Sequence, residues 1–203
     1  MSKIELAPDA SGTGTFTIAS PNDNSDYTLT LPTSAGTVAT QAYADASSQT
    51  VQMGYAVKTD TFTLSTTTWT DVTDMSVTLA AISNAANKVV VTVSLGIAAT
   101  VTGAAAFRVV RDSTAFGVGA AAGSRPQATT TRISFTTLTS DAANGLSFTV
   151  IDVPGDTSIH TYKLQMAVQS SYTGYINRSP NDSDGTSIYQ ARAASSITVT
   201  EIQ

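Results

Sequence analysis

The sequence contains no cysteine, which excludes a disulfide framework and a cysteine-ligated metal site. Charged residues make up only 12% of the 203 residues, and the formal net charge is −5. Because phosphate binding needs a local cluster of Lys and Arg, this balance argues against nucleic acid as a partner. No apolar run approaches the ~20 residues that a membrane-spanning helix requires, and residues 1–6 lack the apolar core of a signal peptide. We therefore expect a chain that is made in the cytoplasm and is not inserted into a membrane.

Threonine, by contrast, is abundant and makes up about a sixth of the chain. With so little charge available, uncharged polar side chains have to supply most of the surface. The branched Cβ of Thr suits the pleated surface of a strand, whereas Leu, Glu and Lys, which favour helices, are scarce here. The composition therefore predicts an all-β protein.

Residues 1–40 form the first predicted segment, a short β stem. Residues 15–18 and 27–31 alternate polar and apolar side chains, and a turn-forming cluster at 20–25 separates them. A segment this small rarely buries enough apolar surface to fold alone. We therefore expect it to need a partner, either further copies of the chain in a homotrimer or a larger assembly.

Residues 41–55 are predicted to be a brief helical or coil neck. Thr40 is a suitable N-cap for a short helix. Ala39, Ala46 and Met53 are seven residues apart, which is the spacing of a coiled-coil seam. The positions between them are weakly apolar, so the pattern favours a linker over a long coiled coil.

Residues 56–203 carry a dense strand signal. Eight to ten short alternating runs follow one another at hairpin spacing, which predicts an antiparallel β-sandwich of jelly-roll type. The run at 88–95 starts with apolar residues on both faces, as in a central strand that is covered on both sides. The segment at 80–86 is expected to cross between the sheets, and residues 112–114 to form a three-residue hairpin loop.

Three stretches carry a resemblance to a known group. Residues 10–18, 27–32 and 35–40 contain in order a G-T-x-T stretch, a T-L-T-L-P stretch and a G-T-V-A-T stretch. This order resembles the N-terminal region of bacteriophage tail-fibre and virion structural proteins, in which such stretches precede a linker and a distal domain. The resemblance implies that residues 1–40 attach the chain to other tail or capsid proteins of a virion.

The distal part resembles a β-sandwich domain of phage structural proteins. The matching residues are 69–72, 88–91, 107–111, 123–126, 162–165, 176–179 and 195–202. Together the two resemblances imply a homotrimeric tail fibre or spike that presents its head to a host surface glycan or protein. A capsid-bound head fibre or decoration protein shares the same features and stays an alternative, and a glycan depolymerase is a third.

Candidate catalytic and metal-binding groups are few. His160 is the only histidine, and no G-x-S-x-G elbow accompanies it, so we expect a strand-end or loop histidine and no hydrolase activity. Residues 181–185 place Asp182 and Asp184 before Gly185, as calcium loops do, but no later Glu completes that motif. We predict no enzyme activity, no cofactor and a polar turn at this segment, with metal binding there left open.

Aromatic residues supply the one candidate binding patch. Tyr172, Tyr175 and Tyr189 lie near loop-like segments rich in Ser, Asn, Asp and Gly, a composition suited to stacking on sugars and bonding their hydroxyls. We predict a host-receptor patch there, although an ordinary surface loop explains the same composition. Trp69 is expected to pack in the core instead. The scattered arginines are expected either to pair with acids at a subunit interface or to be solvated.

Overall fold

The computed structural model describes residues 50–99, 103–133 and 143–203, together with the isolated positions 11, 12 and 22; the side chains of residues 132, 133 and 189 are not among those described. The chain divides into two compact units, Met1–Ala39 and Thr40–Gln203. The predicted stem and the neck up to residue 49 lie outside the described residues, apart from the three isolated positions.

Two antiparallel sheets form the fold, and the predicted all-β sandwich is confirmed. The strands are β1 (Thr50–Lys58), β2 (Phe62–Leu64), β3 (Thr70–Thr78), β4 (Lys88–Ala99), β5 (Ala104–Arg111), β6 (Thr114–Phe116), β7 (Thr130–Ile133), β8 (Asn144–Asp152), β9 (Thr161–Val168), β10 (Gly174–Ile176) and β11 (Ser195–Ile202). The six-stranded sheet has the order β1-β11-β4-β10-β2, with β8 on β4. The five-stranded sheet has the order β3-β9-β5-β6, with β7 on β5. As predicted, the segment between β3 and β4 crosses from one sheet to the other.

The core lies between the two sheets. Alternating side chains of β4 point inward, and Val89, Val91 and Val93 are completely buried there. Phe107 and Leu164 meet them from the five-stranded sheet. Period-two alternation therefore gives each sheet one buried face and one outer face. No helix among the described residues is long and apolar enough to cross a membrane.

Two boundaries differ from the sequence-based expectation. Residues 50–55, which the sequence assigned to the neck, form most of β1, where Met53 pairs with Thr200 of β11. Met53 therefore belongs to a strand and not to a helical seam. The loop between β5 and β6 contains two residues, since Arg111 pairs with Thr114. Asp112 makes this tight turn with a φ of 56°, a conformation that Asp tolerates better than most residues.

Buried charged groups fix both ends of β1 in the fold. The Glu201 side chain is fully buried and accepts hydrogen bonds from Gln52 of β1, from Asn87, and from both the backbone N–H and the hydroxyl of Ser83. Burial alone would raise the pKa of Glu201, but these hydrogen bonds outweigh it and hold the pKa below its ordinary value. At the other end, buried Lys58 donates to Asp60 at 2.7 Å.

Close packing of β1 on β3 explains which side chains of β1 turn outward. A Cβ added to Gly54 would come within 2.6 Å of Cγ1 of Val77, so the inner position has room only for glycine. The neighbouring inner positions hold Gln52 and Ala56. The large apolar side chains of β1 are therefore left on the outer face of the six-stranded sheet.

Candidate interaction surfaces

The three tyrosines predicted as a receptor patch have different surroundings. Tyr172 is half-buried and packs against the core. Tyr175 lies in β10, half-buried, with the guanidinium of Arg178 4.8 Å from its ring centroid. Tyr189 lies in a short 3-10 helix, Ile188–Gln190, and its side chain is outside the described set. Their role in receptor binding stays a prediction, and the core contacts of Tyr172 favour a structural role for that residue.

His160 is buried at the start of β9, between two carboxylates. Its Nδ1 lies 2.9 Å from Oδ2 of Asp112, and its Nε2 lies 3.0 Å from Oδ1 of Asp156. Since each ring nitrogen faces a carboxylate, both nitrogens donate when the ring is protonated. A hydrogen bond from the backbone N–H of Thr161 and, to a smaller extent, the hydrogen bond with His160 lower the pKa of Asp112. The backbone N–H of Ser158, followed by the Ser158 hydroxyl and His160, lowers that of Asp156. This arrangement joins the β5–β6 turn to the loop before β9.

The polar turn at residues 181–185 has its own ion pairs. Asp182 adopts a φ of 51° and accepts a hydrogen bond from Nη2 of Arg192 at 2.6 Å. Arg178 lies 3.9 Å from the same carboxylate. In the described part of the chain, no group of three or more His, Asp or Glu side chains could hold a metal ion. The Asp182 carboxylate thus has cationic partners of its own, and the polar turn predicted from the sequence remains the interpretation of this segment.

Another arginine also has an acid partner within the chain. Nη1 of Arg111 donates to Oδ2 of Asp152 at 2.7 Å, and the Tyr162 hydroxyl donates to the same oxygen at 2.9 Å. Burial and then the charge of Asp152 raise the pKa of Tyr162, so its hydroxyl keeps its proton and acts as a donor. Arg111, Arg178 and Arg192 thus pair with acids of their own chain, whereas the sequence predicted either pairs at a subunit interface or solvated arginines.

An apolar stripe runs along the outer side of β1. Met53, Tyr55 and Val57 are 62%, 70% and 53% exposed, and Val51 is 37% exposed. Successive residues of a strand point to opposite faces, so these side chains form one row. Proteins that remain monomeric in water rarely leave such a row of large apolar side chains on a strand at the sheet edge.

From the stripe, a surface of threonines with Val90 and Ile151 continues across three neighbouring strands. One row of paired residues consists of Met53, Thr200, Val90 and Ile151, and the next consists of Tyr55, Thr198, Thr92 and Thr149. Ile151 is 58% exposed, and Val90 is half-buried. Among the described outward positions of β1, β11, β4 and β8, Lys88 carries the one charge. We call this surface the apolar face.

The outer face of the five-stranded sheet carries charged and amide groups instead. Asp71, Gln165 and Arg108 are paired across β3, β9 and β5. Gln165 donates through Nε2 to Asp71 at 2.6 Å and accepts from Nε of Arg108 at 2.8 Å. Lys163 donates to the other oxygen of Asp71 at 2.6 Å. We call this surface the polar face.

Trp69 lies beside this network, and the prediction that it packs in the core is wrong. Trp69 immediately precedes β3 and is half-buried. The guanidinium of Arg108 lies over the indole ring, 4.5 Å from the ring centroid. Trp69 lines a surface depression of about 310 Å³ together with Ala106, Ala167 and Pro126. Sequence reasoning missed this pair because only the order of β3, β9 and β5 brings the two residues together.

No protein-family model matches the chain, and the search of curated proteins finds no match.

Proposed function

We propose that this chain is a structural protein of a bacteriophage virion, a trimeric tail-fibre or spike subunit that presents its β-sandwich head to the host surface. The apolar face is the observation that carries the proposal. It is nearly free of charge, while the chain as a whole has a net charge of −5. A face of this kind avoids placing like charges opposite each other when identical chains meet.

Association of identical chains would bury the exposed stripe. Burial of a fully exposed large apolar side chain contributes about 1.5–3 kcal/mol. Met53, Tyr55 and Val57 are 62%, 70% and 53% exposed, so their burial recovers more than half of that for each and offsets part of the entropy lost on association. The stripe lies on β1, the first strand of the head, directly after the segment expected to form the stem and neck. Tethering of the chains through the stem is expected to raise the local concentration of their β1 strands, and this continuity of the chain supports the trimer.

A test in the intact particle distinguishes the two attachment sites. Cryo-electron microscopy of a phage particle that contains the chain is expected to show threefold fibres or spikes on the tail, with the head domain at the free end. The same density on the capsid shell would favour the head-fibre or decoration protein. Absence of the chain from purified particles would overturn the proposal.

The proposal includes no catalytic activity. The buried His160 lies between Asp112 and Asp156, and its ring nitrogens contact these carboxylates and not a hydroxyl nucleophile. Incubation with host polysaccharide is expected to release no new reducing ends. Release that is lost on a single Asp or Glu substitution would identify a depolymerase instead.

A further inference from the structure

The depression beside Trp69 combines three kinds of surface. Its floor is made of small side chains, among them Ala106 and Ala167, and its walls include the indole of Trp69 and the ring of Pro126. Gln169 lines it as well and can donate and accept hydrogen bonds. An aromatic wall beside an open apolar floor and a few polar groups matches the general make-up of ligand sites.

Arg108 adds a positive charge next to this depression. Its Nε donates to Gln165, whose amide is in turn oriented by Asp71. In the part of the chain that the structure describes, no acid lies within ion-pair distance of Arg108, unlike Arg111, Arg178 and Arg192. The guanidinium is thus oriented through Nε, and no described residue accepts a hydrogen bond from its terminal N–H groups, which can therefore meet an anion. Such groups favour planar acceptors such as a carboxylate.

We propose that the Trp69 depression binds a sugar residue that carries a carboxylate, with the sugar ring on the alanine floor beside the indole and the carboxylate on Arg108, whose guanidinium covers one face of the indole. Aromatic side chains pack against the apolar faces of rings, and Gln169 can bond ring hydroxyls. The fixed guanidinium selects for the acid group. The site lies on the polar face, on the opposite side of the sandwich from the apolar face, so association through the apolar face leaves it open.

Other anionic ligands fit this surface less well. A fatty acid needs a long enclosed channel, whereas this depression is open to solvent. A nucleic acid needs several cations for its phosphates, and Lys163, the nearest other cation of the network, is paired with Asp71. The inference does not rest on the virion assignment, since binding can be measured on the full chain in solution.

Trp69 is the only tryptophan of the chain, so its fluorescence reports on the site directly. The full chain is titrated with the methyl glycosides of glucuronic acid and of N-acetylneuraminic acid, and with methyl glucoside as the neutral probe. We expect saturable changes in emission with at least one acidic probe and none with the neutral one. The affinity should fall as the pH drops below the pKa of the sugar carboxylate, because the anion is lost.

Arg108→Gln is expected to weaken binding of the acidic sugar about tenfold or more, since a charge-assisted bidentate contact is removed. Arg108→Lys retains the charge without the planar fork and is expected to restore only part of the affinity. Arg192→Gln is the matched control, because it removes an exposed arginine from the other side of the head and should leave binding unchanged. Thermal melts verify that each variant is folded.

Three results would overturn the inference. One is equal binding of neutral and acidic sugars. Another is the absence of saturable emission changes with either acidic probe at high millimolar concentration. The third is unchanged affinity in folded Arg108→Gln or Arg108→Lys. Failure of the trimer or of the virion assignment would leave these outcomes unaffected, so the two proposals fail separately.

Discussion

The apolar face and the polar face are built on the same strand alternation, yet their side chains differ. On the apolar face, Met53, Tyr55 and Ile151 are exposed among uncharged Thr and Ser residues. On the polar face, Asp71 and Arg108 are joined through Gln165. The fold requires only that the inner faces be apolar, so it leaves the composition of the two outer faces free to differ. Under the two proposals, the same sandwich uses one face for assembly and keeps the other for a ligand.

A charge placed on the apolar face is expected to have the largest effect. Met53→Glu would introduce an unpaired carboxylate into the proposed subunit contact, where desolvation is costly. We expect the association constant to fall about 100-fold or more, in keeping with a central contact residue. Sedimentation equilibrium of wild type and variant over a range of concentrations measures this.

Ser76→Glu provides the matched control on the opposite sheet. Ser76 is an exposed residue of β3 and lies opposite Lys163 in the sheet. The positive charge of Lys163 offers a favourable neighbour for a new carboxylate at this position. The association constant of the Ser76→Glu variant should equal that of the wild type. If both variants lose association equally, the contrast between the two faces has no bearing on assembly.

The buried carboxylate that fixes β1 to the rest of the fold gives the next largest effect. Glu201→Gln replaces an acceptor of four hydrogen bonds by an amide, whose NH₂ group then faces donors. We expect the free energy of unfolding to fall by about 2–4 kcal/mol, measured by urea denaturation. Asp184→Asn at an exposed turn position should change it by less than about 0.5 kcal/mol. Equal effects of the two substitutions would mean that the Glu201 contacts do not stabilise the sheet edge.

Acid should weaken the contacts around His160 by a smaller amount. Asp112 and Asp156 have folded-state pKa values below their ordinary values. A lowered carboxyl pKa contributes stability that is present above the unfolded pKa and is lost as the pH falls through the folded pKa. The melting temperature should therefore drop by a few degrees below about pH 4, the ordinary range for Asp.

Asp112→Asn isolates this contribution to the acid sensitivity. Asn tolerates the positive φ of the β5–β6 turn, so the turn itself is retained. The variant should be less stable than the wild type at neutral pH and should lose less stability on acidification. An acid response identical to that of the wild type would show that the Asp112–His160 contact does not couple folding to pH.

The alternation of polar and apolar residues in the sequence predicted most of the strands. Met75, Val77 and the valines of β4 occupy positions in that pattern that the structure buries. The prediction failed at β1, whose residues 50–55 were assigned to the neck. The large apolar residues of this strand face outward, and the spacing of Met53 resembled a coiled-coil position. The buried Lys58 and Glu201 could not be anticipated, since a charge in a polar alternating run is normally placed outside. The Trp69–Arg108 pair depends on strand order, which local patterns do not encode.

Hydroxyl-radical footprinting of the intact chain tests the contrast between the faces most directly. Methionine and aromatic side chains react readily when they are accessible, so Met53, Tyr55 and Trp69 serve as probes within one sample. The account predicts that Met53 and Tyr55 are protected at concentrations where the chain is assembled and become reactive on dilution, while Trp69 reacts equally at both. Equal reactivity of Met53 and Tyr55 in the assembled and the dilute sample would contradict it.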